Sequence, residues 1–180
     1  MTLHLILGLH GTGKTALCKV LSERGYAAID TDTYPGLAQW VDPETGMPIA
    51  EIPDYLDEGW INSHRFIWRP EKMQELIGIY QGRRAFLCGS AANVEDFHGV
   101  LGRRFYLWAS DGTITRRLQE RNPALWRHGS KELTRRLLAN RGVRTKAIMD
   151  GNIVLYVELP VEEVATDVMA YVVATETALS

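Results

Sequence analysis

Apolar and polar positions follow two different periods along this chain of 180 residues. The switches between those periods mark out a succession of strands and helices. Leu3-His4-Leu5-Ile6-Leu7 reads as a short buried strand over residues 2–7. Ala16-Leu17-Cys18-Lys19-Val20-Leu21 has apolar residues at helical spacing and predicts a helix over about 14–24, stopped at Gly25. Tyr26-Ala27-Ala28-Ile29 is a second strand, ending at Asp30-Thr31-Asp32. Between 33 and 70 the pattern dissolves into an irregular stretch rich in proline and tryptophan, with a turn signal at Asp42-Pro43-Glu44-Thr45-Gly46. Helical spacing resumes after Pro70, a residue favoured in a first turn, and runs to about Gln81. Arg84–Cys88 is a strand, followed by the loop Gly89-Ser90-Ala91-Ala92-Asn93. Phe105–Trp108 and Ile153–Val157 are further strands, with helices expected over 111–121 and 130–148 between them. A last helix starts at Pro160-Val161-Glu162-Glu163 and reaches about residue 174. No internal repeat or low-complexity tract interrupts the series.

Strands that alternate with helices imply an α/β protein whose parallel sheet is covered on both faces, with ligands outside the carboxyl ends of the strands. The length suits one domain with a full core. A hydrophobic content of 46% and a charged content of 23% are those of an ordinary globule. The two cysteines, Cys18 and Cys88, lie far apart in sequence and form no ligand-spaced pair, so neither a metal cage nor a disulfide scaffold is indicated. The first apolar run ends at Leu9 without a basic flank, and no run is long enough to span a membrane. A cytoplasmic location is therefore expected.

Net charge is −2, too small to draw nucleic acid or an acidic membrane through a global field. Its distribution is uneven. Residues 30–75 hold ten Asp/Glu against three Lys/Arg, whereas 103–146 hold twelve Lys/Arg against three Asp/Glu. An anion site built from the second half follows from that asymmetry.

The candidate chemistry begins at Gly8-Leu9-His10-Gly11-Thr12-Gly13-Lys14-Thr15, which satisfies G-x-x-x-x-G-K-[ST] between a strand and a helix. Glycines let the backbone curl until successive N–H groups and the helix N-terminus point at phosphate oxygens. The nucleotide contacts expected are Gly8, His10, Gly11, Thr12, Gly13, Lys14, Thr15 and Ala16. Lys14 would reach the β- and γ-phosphates, and the Thr15 hydroxyl would ligate Mg²⁺.

Asp32 is the candidate for orienting an acceptor hydroxyl and taking its proton. Asp30 is the alternative inward carboxylate, holding Mg²⁺ through water, and either residue could instead bond its own turn backbone. Thr15, Asp30 and Asp32 together form the candidate metal set. Arg117 and Arg121 share a helical face and could meet the same phosphates, or could belong to a solvated basic face.

Gly89 and Ser90 would let backbone approach an acceptor, and Asn93 would hydrogen-bond it. Tyr34, Trp40, Trp60 and Trp68 either stack a ring-shaped substrate or form a small flap core. Arg65 and Arg69 pair with a substrate anion or with neighbouring acids, and Arg127 and Arg135 are further candidate contacts. The five histidines fall in no nucleophile or zinc pattern. Asp96-Phe97-His98-Gly99 matches D-x-x-G by chance, because no Asn-Lys-x-Asp follows it.

The phosphate loop, Asp30-Thr31-Asp32, Gly89, Arg117-Leu118-Gln119-Glu120-Arg121 and the terminal strand–Pro–helix resemble the small P-loop kinases related to adenylate, shikimate and gluconate kinases. Small antibiotic phosphotransferases share the frame. The resemblance implies a three-layer P-loop NTPase fold with a five-stranded parallel sheet in the order 2-3-1-4-5. It implies an acceptor-binding flap at 34–82, a lid at 122–130, and Arg117 and Arg121 over the nucleotide or the transferring phosphoryl group.

The activity implied is Mg²⁺-dependent transfer of the γ-phosphoryl of ATP or GTP to a hydroxyl or phosphate of a small molecule. A nucleoside, nucleotide or sugar-containing metabolite is the expected acceptor, with an antibiotic as a variant. Neither nucleic acid nor membrane is an expected partner, and a monomer or homodimer is expected. Two alternatives stand beside this reading. A polynucleotide-end kinase would want a basic track where residues 30–75 are acidic. A nucleotide-binding regulatory ATPase would want an acidic residue where the strand over 84–88 ends in Cys88-Gly89.

Overall fold

The computed structural model describes residues 2–54 and 58–179. The first half comprises β1 (Thr2–Gly8), α1 (Lys14–Glu23), β2 (Ala27–Asp30), β3 (Ala38–Val41), α2 (Glu58–Ser63), β4 (Arg65–Trp68) and α3 (Pro70–Ile79). The second half comprises β5 (Arg84–Cys88), a single 3-10 turn (Val94–Phe97), β6 (Leu101–Trp108), α4 (Asp111–Arg121), α5 (Lys131–Met149), β7 (Ile153–Tyr156) and α6 (Val161–Leu179).

Five strands form a parallel sheet in the order β2-β5-β1-β6-β7, which is 2-3-1-4-5 when only these strands are counted. Helices flank it, as the resemblance implies. Register brings the functional segments to one rim. Ile6 pairs with Cys88, Cys88 with Asp30, and Gly8 with Leu107. The phosphate loop, the Asp30–Asp32 turn and Gly89 therefore all leave the sheet at the same level.

Strand alternation divides the core between two faces. Ile6 and Phe86 pack with Leu17 and Leu21 of α1 and with Val164 and Val168 of α6. Leu3, Leu5 and Leu87 point the other way, into a cluster with Trp68, Met73 and Leu76. Helix ends are closed by side chains as well: the Ser110 and Ser130 hydroxyls accept from the backbone N–H of Thr113 and Leu133, capping α4 and α5.

Helix α5 is pinned from within. Buried Asn140 donates to the Ala109 carbonyl at 3.1 Å and to Asp111 Oδ1 at 3.0 Å. Near its far end the Arg144 guanidinium lies over Trp108 and Tyr156, 5.6 and 5.1 Å from the ring centroids.

Three boundaries differ from the sequence reading. The stretch over 33–70 is not irregular throughout: β3 and β4 form an antiparallel hairpin with Trp40 opposite Phe66, and α2 precedes β4. Strand β6 begins at Leu101 rather than 105. Its added residues are polar on the outside, yet a Cβ at Gly102 would crowd the His4 ring and the Arg103 N–H donates to His4 Nδ1 at 3.0 Å. Helix α6 continues past 174 to Leu179. Among the described residues no helix is long and apolar enough to cross a membrane.

Candidate functional site

The loop between β1 and α1 is held by its own side chains. Gly13 takes φ 97° as it opens α1, a backbone region open to glycine at little cost. Buried Thr12 turns its hydroxyl onto the Leu9 carbonyl at 2.7 Å. The Lys14 ammonium donates to the carbonyls of Gly8 at 2.7 Å and Leu9 at 3.2 Å. Burial holds the Lys14 pKa below its usual value, with Asp32 pulling it back up and Arg136 adding to the fall.

The two aspartates divide the rim between them. Asp30 Oδ2 accepts from the Thr15 hydroxyl at 3.0 Å, and its Oδ1 accepts from the Asp32 N–H at 3.1 Å. Asp30 thus belongs both to its own turn and to the first turn of α1. Asp32 instead lines the cleft beside Lys14. Burial and the negative Asp30 raise the Asp32 pKa, opposed by Lys14 and the Thr31 hydroxyl. A hydroxyl and a carboxylate oxygen 3.0 Å apart, next to a second carboxylate destabilised by its neighbour, are a hard-oxygen set of the kind Mg²⁺ takes. Among the described residues no three His, Cys, Asp or Glu side chains cluster into a cage, so such an ion would draw its other ligands from phosphate and water.

Of the two adjacent arginines on α4, Arg116 is exposed and Arg117 half-buried. Arg117 donates to the Val157 carbonyl at 2.9 Å and reaches the Gly11 and Thr12 carbonyls at 3.4 Å. It fastens the phosphate loop to the end of β7. Arg121 is exposed, and its charge is one of several that lower the His10 pKa. Arg127 lies with Ala124 and Gly129 around a separate surface dip.

Several acceptor-side candidates have structural duties. A Cβ at Gly89 would overlap the Thr31 hydroxyl, so the close approach this glycine permits is to Thr31. Trp68 is fully buried, and its backbone N–H and C=O are both bonded to the Asn93 amide, each at 2.9 Å. Tyr34 packs against that same cluster. Arg65 is exposed at the start of β4, away from the cleft lining, and Arg69 donates to Glu71 Oε1 at 2.7 Å. The tryptophans form a flap core in part: Trp40 meets Trp60 at 4.8 Å and Phe66 at 5.2 Å between centroids.

What the structure does bring together is a cleft of about 760 Å³ that starts at the phosphate loop. Gly8, His10, Lys14, Asp32, Trp40 and Ser90 line it, as does Arg135. Sequence reasoning missed Phe66, Tyr106 and Arg136, which come from β4, β6 and α5. The one trace of Arg136 in sequence is its place in the basic second half. Its Nε is buried without a hydrogen bond, and burial followed by the charge of Arg135 lowers its pKa. Burial pushes the Tyr106 phenol up to about 12. His10 keeps an open edge to solvent, but desolvation by the surrounding cleft and the fields of Arg136, Lys14, Arg121 and Arg135 lower its pKa to about 4. The imidazole is therefore neutral at pH 7. Cys18 and Cys88, remote in sequence, are both buried in the same hydrophobic cluster as free thiols.

A family model described as an AAA domain matches residues 5–136. No curated protein matches the sequence. Solved structures with a similar fold include a gluconokinase from Sinorhizobium meliloti 1021, 14% identical, with 99% of this chain and 95% of that chain covered at a TM-score of 0.55. A shikimate kinase from Acinetobacter baumannii in complex with shikimate is 16% identical over 97% of this chain and 94% of its own, at 0.58. TT1252 from Thermus thermophilus is 16% identical over 97% and 98%, at 0.57. At these identities the likeness is one of fold.

Proposed function

Because the chain belongs to the AAA-domain family and carries an intact phosphate loop, we propose that it is a Mg²⁺-dependent phosphotransferase. It moves the γ-phosphoryl group of ATP or GTP to a hydroxyl or phosphate of a small molecule. The acceptors that suit this frame are nucleosides, nucleotides and sugar-containing metabolites, with antibiotics as a special case. The observation that carries the reading is the cleft in which Asp32 and Lys14 stand together at the phosphate-loop end of a small-molecule-sized space. Gluconokinase and shikimate kinase among the fold neighbours support it.

In this account Lys14, the loop N–H groups and the basic side chains nearby neutralise charge on the moving group. Lys14 exchanges its bonds to Gly8 and Leu9 for phosphate oxygens. Thr15 and Asp30 would hold Mg²⁺, which supplies charge neutralisation on the phosphates. Asp32 orients the acceptor and takes its proton, a task for which a raised carboxylate pKa is suited. Arg117 keeps the loop in register, and Arg121 contributes positive field. Residues 34–82 serve as the acceptor flap and 122–130 as a lid that excludes water.

A regulatory ATPase is disfavoured, since β5 ends in Cys88-Gly89 and contributes no carboxylate of its own to position a hydrolytic water. The test is Asp32→Asn. Turnover should fall by roughly 10²–10⁴ while affinity for MgATP stays near that of the wild type. Retained turnover would remove Asp32 from the chemistry.

A further inference from the structure

The cleft is much longer than the transfer step requires, and its wall changes character along its length. At the phosphate-loop end it presents Lys14, Asp32, His10 and Arg136. Beyond them the lining turns to carbon: Leu7 from β1, Trp40 and Phe66 from the hairpin, Ala139 and Val143 from α5. It turns polar again at the far end, where Glu95, His98, Arg104 and Lys146 line the same space. Those groups are tied together, His98 to Glu95 at 2.9 Å and Lys146 to Asp150 at 2.8 Å. The Arg104 guanidinium lies 2.8 Å from His98 Nε2 and donates to the Asp150 carbonyl at 2.6 Å. From Arg136 to Lys146 the trough follows α5 for about 15 Å at the helical rise per residue.

The apolar middle stretch is unusual for a helix facing a sheet. Ala139, Val143 and Ala147 recur at four-residue spacing on one side of α5. Only Ala147 is buried, and neither Ala139 nor Val143 joins either hydrophobic cluster. Ala139 and Val143 face the open trough rather than a packed core. A compact polyhydroxylated acid would occupy the cationic end and leave this carbon surface wet.

Building on the phosphotransferase reading, we infer that the acceptor is an elongated amphipathic molecule. It offers a hydroxyl or phosphate to Asp32 and Lys14, lays an extended apolar body along Leu7, Phe66, Ala139 and Val143, and ends in a polar group beside His98 and Arg104. The hydrophobic contribution of that body sets its affinity, and the polar end group fixes its direction.

A homologous series tests this: 4-hydroxybutanoate, 8-hydroxyoctanoate and 12-hydroxydodecanoate, titrated calorimetrically into the full chain with MgATP binding measured alongside. Affinity should climb with chain length by up to about fourfold per methylene until the trough is full. Val143→Asp should abolish the dependence on length, whereas Leu138→Asp, on the exposed side of the same helix, should leave it intact. Normal MgATP binding with flat affinity across the series, or efficient transfer only to compact polyhydroxylated acids, overturns the inference and leaves the phosphotransferase reading standing. Failure to bind MgATP overturns both.

Discussion

Asn93→Ala should loosen the hairpin that walls the cleft. The Asn93 amide has the donor and acceptor of a peptide unit, and it satisfies both backbone groups of Trp68 on the edge of β4 that does not face β3. The neighbouring Ala92 N–H donates to the Phe66 carbonyl at 2.7 Å, so the loop after β5 acts as a short third strand. Trp68 is fully buried and Asn93 is 9% exposed, and truncation would leave an N–H and a C=O without partners. Each costs about 1–3 kcal/mol, or roughly 2–6 kcal/mol together. For a chain of this size that is a fall in Tm of roughly 4–24 °C.

Chemical denaturation with an unchanged m-value measures it directly. Asn93→Asp sharpens the test. Protonated, the new carboxyl can donate to the Trp68 carbonyl; ionised, it repels that oxygen, so its folded pKa rises above the unfolded value. Its stabilising contribution is full below about pH 4 and is lost as pH climbs through the raised folded value. A loss for Asn93→Ala below about 1 kcal/mol, or a deficit for Asn93→Asp that does not grow with pH, would refute the reasoning.

Other consequences can be checked separately. His10 should titrate near pH 4 by NMR in the free protein, and MgATP should move it upward as phosphate charge offsets the surrounding cations; an unmoved value would place His10 outside the phosphate field. Arg117→Met gives up the Val157 bond and two long contacts to the loop, a loss of about 1.5–3 kcal/mol. Its Tm should fall by roughly 3–12 °C, and an unaltered Tm would mean the strut carries no load. Lys14→Ala should abolish transfer with the fold intact by circular dichroism. In Asp30→Asn the carboxyl of Asp32 loses a like-charged neighbour, so its pKa should drop toward the ordinary range; no drop would argue against their coupling.

Contiguous features were readable from sequence, because a strand, loop and helix start within fifteen residues specify their own geometry. The sheet order could be expected from that frame and is what the structure has. The hairpin was hidden for the opposite reason. Its strands are four residues each, and their pairing joins Ala38 to Trp68 across a long connection that local periodicity does not report.

The same non-locality concealed the cleft wall, whose Phe66, Tyr106 and Arg136 become neighbours only when three elements pack. It also gave Asn93 a meaning no local pattern suggests, since its partner is twenty-five positions away. Periodicity could say that only one of Arg116 and Arg117 turns inward. The three carbonyls that hold Arg117 had to be seen.

The central claim is that this site delivers phosphoryl groups to an acceptor rather than to water. Radiolabel in the γ-position of ATP and of GTP, followed across a panel of small-molecule acceptors, measures that partition directly. The account predicts label on an acceptor, negligible inorganic phosphate without one, and no labelled product from Lys14→Ala. Steady release of inorganic phosphate at a rate indifferent to every acceptor would contradict it.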